Sequence, residues 1–172
     1  DIWEAALNAE SGNAVKGLGA VWFTAEGVPT HHPQHFQCDA CRTPLRIAQD
    51  DGWDAEPGAG AYLEKITSFY EGIGLENLID GFDLDGTPHP EFSVDGSRAA
   101  AFVGPAAVGA TFDPAHAEFV EAAYTDLITP NALIIGDSAH DNAGSIYYNT
   151  SWRVLSLLLL DGTYVDLTMP KN

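Results

Sequence analysis

Between residues 31 and 41 the chain gathers three histidines and two cysteines: His31, His32, His35, Cys38 and Cys41. From His32 onward they recur at intervals of three, and imidazole with thiolate is a ligand set that suits Zn²⁺. His32, His35, Cys38 and Cys41 therefore form one candidate metal site. Cys38-x-x-Cys41 also has the spacing of a redox pair, but no βαβ pattern surrounds it, and Arg42 stands where c-type haem attachment would need histidine. The plainer reading is a polar loop with two reduced or packed cysteines. No cofactor is thus the leading expectation and zinc the weaker one. Within the same stretch Asp39 lies just ahead of Thr43-Pro44, a good helix start with Thr as cap and Pro in the first turn. A carboxylate there faces the positive end of a helix, with Arg42 three residues on as its partner. On residue types alone this is a salt-bridged pair at a helix start.

Other constellations carry less. Asp83-x-Asp85-Gly86 has part of a calcium loop's spacing, without the remaining ligands or the terminal Glu. Asn149-Thr150-Ser151 fits the glycosylation sequon but falls at an expected helix start. Ser138, His140 and Asp141 are too close in sequence to imply a triad.

The elements that must position these groups are mainly helical. Trp3 to Leu7 has helical spacing, with Gly12 as a stop, and residues 17–27 read as loop or short strand. The stretch from His31 to Cys41 reads as irregular, followed by a helix from Thr43 towards Gly52. A second helix opens at Glu56-Pro57, with Tyr62, Ile66, Phe69 and Ile73 on one face and Gly72 and Gly74 at its end. Residues 79–86 alternate as a short hairpin would. Ser97 to Phe112 is apolar nearly all round, as a helix buried on most sides is. Asp113-Pro114 caps a helix carrying Phe119, Ala122, Ala123 and Leu127; a long polar connection then leads to a last helix from Tyr147 to Leu160. Wholly apolar helices suit an inner layer and amphipathic ones an outer layer. No repeat and no linker marks a second unit, so residues 1–172 are expected to form a single all-α domain.

Composition bounds the partners. Hydrophobic residues make up 45% and charged residues 19%, a globular balance, and the apolar run from Val154 stops at Asp161, short of a membrane span. Acidic residues outnumber basic ones by 25 to 7, for a formal charge of −18. That field repels nucleic acid, anionic membranes and anionic polysaccharides. It accommodates a neutral substrate, and would attract a polycation such as chitosan. Asp1-Ile2-Trp3-Glu4 has neither the basic nor the apolar region of a leader, so the expectation is a chain that begins inside a longer one.

Four blocks resemble glycoside hydrolase family 8. Asp39-Ala40-Cys41-Arg42-Thr43-Pro44-Leu45-Arg46 is similar to that family's D-A-x-R-x-P-x-R segment. Ile79-Asp80-Gly81-Phe82-Asp83-Leu84-Asp85-Gly86 resembles its I-D-G-Y-x-L-x-G stretch. Ala101 to Ala110 resembles its Ala/Gly-rich buried helix, and Tyr147 to Gly162 its closing helix. The blocks fall in family order across roughly Trp22 to Thr168.

The resemblance implies part of an (α/α)6 toroid of inner and outer helices, and a secreted, inverting, endo-acting enzyme on β-1,4-linked glucan. It implies Asp39 as catalytic base and Arg42 as its partner. Inversion needs a second carboxyl about 6.5–9.5 Å from the base, on the far side of the bond, to protonate the leaving oxygen. Tyr147 and Tyr148 match aromatics near the sugar cleft, and Trp22 would stack on a pyranose face; Trp53 has the same capacity but reads more plainly as packing. The family's general-acid Glu has no counterpart here, so the chain reads as the C-terminal portion, with β-glucan polysaccharide or oligosaccharide as partner and another chain or copy completing the toroid. The competing expectations are a non-catalytic carbohydrate-binding or self-assembling subunit derived from this fold, and a zinc-binding module built on the His/Cys cluster.

Overall fold

A computed structural model describes residues 14–30, 35–55, 58–92, 98–133 and 143–164. Among them are five α-helices and one short ribbon. Strand β1 (His35–Gln37) runs into a 3₁₀ turn (Cys38–Arg42) and directly into α1 (Thr43–Asp54). Helix α2 (Ala59–Ile73) follows, then strand β2 (Gly81–Asp83), α3 (Ala100–Ala110), α4 (Ala117–Ile128) and α5 (Ala143–Leu160). None of these helices is long and apolar enough to cross a membrane.

Helix α3 is the centre. All eleven of its residues are buried, and it packs against each of the other four helices. Its sequence, Ala-Ala-Phe-Val-Gly-Pro-Ala-Ala-Val-Gly-Ala, has no polar side chain, so it has no face that favours water. Small residues let its neighbours approach the backbone. A Cβ at Gly109 would lie 2.7 Å from Pro44 Cβ of α1, and one at Gly104 would lie 2.8 Å from Ser156 Cβ of α5.

The start of α3 lacks a side-chain cap of its own. Its donors are met from elsewhere. Asn149, buried on α5, accepts from the Ala101 N–H at 3.1 Å, and Asp80 accepts from the Ala99 N–H. A buried amide that caps a neighbouring helix is not available as a glycosylation acceptor. At the other polarity, Arg153 of α5 donates to the carbonyls of Leu127 and Thr129 at the end of α4.

The outer helices follow their periodicity. Tyr62, Ile66 and Phe69 of α2 are buried, as are Phe119, Ala123 and Leu127 of α4. Asp113 caps the latter's entry turn, accepting from the Ala115 N–H at 2.8 Å. Residues 81–88 do form a hairpin: β2 turns at Asp83–Gly86 and returns to bridge Phe82 with Pro88.

Three local expectations change. The segment expected to be irregular contains β1, antiparallel to β2 with His35 opposite Asp83 and Gln37 opposite Gly81. Phe36 at its centre is fully buried, and so short a strand leaves no periodic trace. Thr43 is the first helical residue and not the cap, because the 3₁₀ turn feeds α1 without a break. Helix α5 begins at Ala143, one turn before Tyr147. The expected helix at Trp3–Leu7, the Glu56-Pro57 opening, and His31, His32, Ser138, His140 and Asp141 lie outside the described residues.

Gly109→Ala should cost about 1–3 kcal/mol in urea unfolding, because Pro44 sits on a helix that cannot retreat. Gly52→Ala, on α1 with nothing within 4 Å of the added methyl, should instead gain about 0.5–1 kcal/mol.

Candidate active site

Asp39 stands in the first turn of the 3₁₀ segment, between the ribbon and the helix bundle. Its side chain is 46% exposed and pairs with Arg42, Nη2 to Oδ1 at 2.6 Å. Arg42 Nε also donates to the Asp39 backbone carbonyl at 3.1 Å, so the guanidinium grips its partner twice. Among the described residues no donor reaches the other carboxylate oxygen, Oδ2. The carboxylate thus has one oxygen fixed by Arg42 and one without a hydrogen bond among the described residues, on a side chain that is nearly half exposed.

The turn that presents it is braced on both sides. Cys38, immediately before Asp39, has φ +43°, a left-handed conformation that L-residues rarely adopt. Its carbonyl accepts from the Tyr148 hydroxyl at 3.1 Å, 110 residues away on α5. The same hydroxyl lies 3.6 Å from Cys41 Sγ. Burial pushes the Cys41 thiol up to about 12, the largest of several influences, and burial likewise raises the Tyr148 phenol. Both groups keep their protons, which is what a donor to a carbonyl requires. On the α1 side, Trp152 lies beneath two cations, with Arg42 and Arg46 each 5.8 Å from its ring centroid. Sequence offered Cys41 as a metal ligand and not as a buried contact of Tyr148, and Trp152 only as an apolar position of the last helix.

The remaining site residues separate. Tyr147 points away from Tyr148 and is 75% exposed, lining an open apolar groove of about 760 Å³ with Ile146, Thr150, Ser151, Val154 and Leu155. Trp22 is 61% exposed in a turn whose neighbour Val21 donates to the His35 carbonyl at 3.2 Å. It therefore borders β1, and among the described residues no hydrogen bond or ring contact joins it to Asp39. Trp53 stacks on Tyr164 at 6.0 Å, the packing role its position suggested.

The histidine and cysteine run is split by the ribbon. His35 turns toward Asp83, Nε2 to Oδ1 at 3.1 Å, while Cys41 is buried against Tyr148 and Cys38 is exposed. Among the described residues, the metal-type ligands that converge are His35, Asp83 and His89, and neither cysteine is with them. In the hairpin turn the calcium-like spacing serves local structure: Asp85 Oδ1 accepts from the Thr87 N–H at 2.9 Å and its carbonyl from Lys16.

Asp80 was quoted only as part of a motif, yet it is the most perturbed carboxyl of the region. Burial raises it to about 7, opposed by the hydrogen bond from Ala99. It also acts electrostatically on Cys38 and Cys41, placing it beneath the turn that carries Asp39.

No family model matches the chain. It is 27% identical over 149 residues to Endoglucanase A of Acetivibrio thermocellus, covering 86% of this chain and 28% of that protein. It is 26% identical over 156 residues to Endoglucanase 2 of Ruminiclostridium josui, covering 90% and 31% respectively. The chain therefore spans under a third of these curated relatives. A glycoside hydrolase family 8 structure from Teredinibacter turnerae, solved as a xylobiose complex, superposes with a TM-score of 0.70 at 22% identity, over 91% of this chain and 38% of that one. A reducing end xylose-releasing exo-oligoxylanase superposes at 0.68 with 21% identity, over 94% and 39%. The fold is thus part of an (α/α)6 toroid, and the resemblance to the C-terminal part of a family 8 glycosidase holds along nearly the whole chain.

Tyr148→Phe should lower stability by about 1 kcal/mol in urea unfolding, through loss of the donor to the Cys38 carbonyl. The Asp80 carboxyl is raised on folding, so its contribution is full below about pH 4 and is lost as pH rises through 7. Asp80→Asn, which keeps an oxygen for the Ala99 N–H, should therefore be more stable than the native chain at pH 8, by on the order of 2–4 kcal/mol, with the gap closing toward pH 4. A gap independent of pH would refute the burial account.

Proposed function

We propose that this chain supplies the base side of an inverting, endo-acting glycoside hydrolase that cleaves β-1,4-linked glucan, with Asp39 as catalytic base and Arg42 as its positioning partner. The observation that carries it is the half-exposed carboxylate with one oxygen held by Arg42 and the other without a hydrogen bond among the described residues. Such a group can accept a proton from water while its orientation stays fixed. In the step, Asp39 takes the proton, the water oxygen bonds to the anomeric carbon, and the glycosidic oxygen departs with a proton from a carboxylic acid across the bond. That acid is not at any matched position in these residues. It comes from the rest of the toroid, in the same polypeptide or in another chain.

Glucan is favoured by the names of the two curated relatives, and a polymer too large to enter a cell suits a secreted enzyme. The charge of −18 suits a neutral polysaccharide and disfavours a polyanion by repulsion. Trp22 and Tyr147, both exposed, are the aromatic surfaces offered to sugar rings, while Tyr148 acts by holding the turn and not by touching substrate. A second reading has its own observation. Ile146, Tyr147, Val154 and Leu158 leave an exposed apolar face on α5, as a binding or assembly subunit would. In the first reading Ile146, Val154 and Leu158 of that face receive the remaining helices of the toroid.

In a polypeptide that includes the acid, release of reducing ends from soluble mixed-linkage β-glucan should fall by about 10³-fold or more in Asp39→Asn, and the first product seen by proton NMR should be the α-anomer. Undiminished activity in that variant, or a β-anomer, would remove Asp39 from the role. Binding of the glucan without cleavage, in a polypeptide that includes the acid, would favour the second reading.

A further inference from the structure

We propose that His35, Asp83 and His89 form a divalent transition-metal site, with zinc as the fitting ion and Glu91 as its outer support. The three side chains come from β1, β2 and the strand returning from the hairpin, and all are half-buried. Both imidazoles aim Nε2 at the same carboxylate oxygen: His35 lies 3.1 Å and His89 2.7 Å from Asp83 Oδ1. The rings lie against each other with centroids 4.4 Å apart.

The other nitrogen of His89 is also held: its Nδ1 is hydrogen-bonded to Glu91 Oε1. That contact keeps the ring turned so that Nε2 is aimed at Asp83 Oδ1, in the carboxylate–histidine arrangement that orients and strengthens imidazole ligands to a metal.

The geometry needs little change. Ligand atoms about 2.0–2.1 Å from a tetrahedral zinc stand about 3.3–3.4 Å apart, so Asp83 must draw back from His89 by roughly half an ångström or a little more, and the three ligand atoms already lie within 4.8 Å of one another. Two imidazoles and one carboxylate form a ligand set zinc accepts, with water in the fourth position. The location gives the ion a task. His35 is bonded through the ribbon to β2 and lies four residues before Asp39, so a metal would tie the three strands together just ahead of the turn that presents that carboxylate. The site stands independently of the proposed hydrolase activity.

The purified protein, freed of metal with chelator and then equilibrated with zinc chloride, should retain about one zinc per chain after gel filtration. Its Tm should rise by about 5–10 °C at zinc a hundredfold above Kd. Asp83→Asn and His89→Gln should lose both effects, while Asp50→Asn, which removes an exposed acid elsewhere, should keep them. Because a variant that fails to fold cannot report binding, the native protein is also followed by imidazole nitrogen NMR. Zinc should shift Nε2 of His35 and His89 and leave His116 unmoved. Uptake unchanged in folded His89→Gln, shifts absent from both rings, or a thiolate charge-transfer band with cobalt would each overturn the site, the last by moving the metal to the cysteines.

Discussion

The contact between the Gly109 backbone of α3 and Pro44 of α1 is the constraint on which the arrangement rests. A helix with no side-chain bulk at that point lets a second helix settle directly on it, and the second helix is the one entered from Asp39. Position then passes backward along the chain, from Pro44 through a 3₁₀ turn too short to flex independently, to the carboxylate. The start of α3 is tied to the same region, since Asp80 and Asn149, which cap it, come from the segment beneath the turn and from the helix beside it. A buried core helix and an exposed carboxylate are thus two ends of one rigid path.

The turn itself is held against a cost. Cys38 occupies a left-handed conformation without being glycine, and its carbonyl is met by a phenol from the far end of the chain. The Tyr148 hydroxyl can stay in that role because burial keeps it protonated. The ribbon on one side and the helices on the other both end at this turn, so the site sits where two kinds of backbone hydrogen bonding meet.

Much of the helical frame was legible from residue type. The step of Tyr62, Ile66 and Phe69 marks the inner face of α2, and the absence of any polar side chain from Ala100 to Ala110 marks α3 as buried. The fold class was readable because family-like blocks lie at the start of α1, in the hairpin, in α3 and in α5. What escaped was set by pairing across distance. The even spacing of His32, His35, Cys38 and Cys41 suggested one cluster, but of its described members the ribbon and the 3₁₀ turn send His35, Cys38 and Cys41 to different places. His35 instead meets Asp83, its partner across the ribbon. Likewise Tyr148 and Tyr147 are equivalent as letters, and only the phase of α5 decides that one holds the turn while the other faces out. The start of α5 was missed because Gly144 and Ser145 read as loop.

The deployment of the basic residues has a wider meaning. Of the chain's seven lysines and arginines, Lys16, Arg42, Arg46, Arg98 and Arg153 are each engaged at a fixed place: a turn carbonyl, Asp39, Gln49 with Trp152, Asp126, and the end of α4. Few cations are left to balance an acidic exterior. The shell is in effect a polyanion of one sign, whose self-repulsion is relieved by mobile counterions from the solvent and not by its own side chains. The surrounding electrolyte thereby becomes a structural component, and the protein's compactness is coupled to the ionic strength of the medium in which it works.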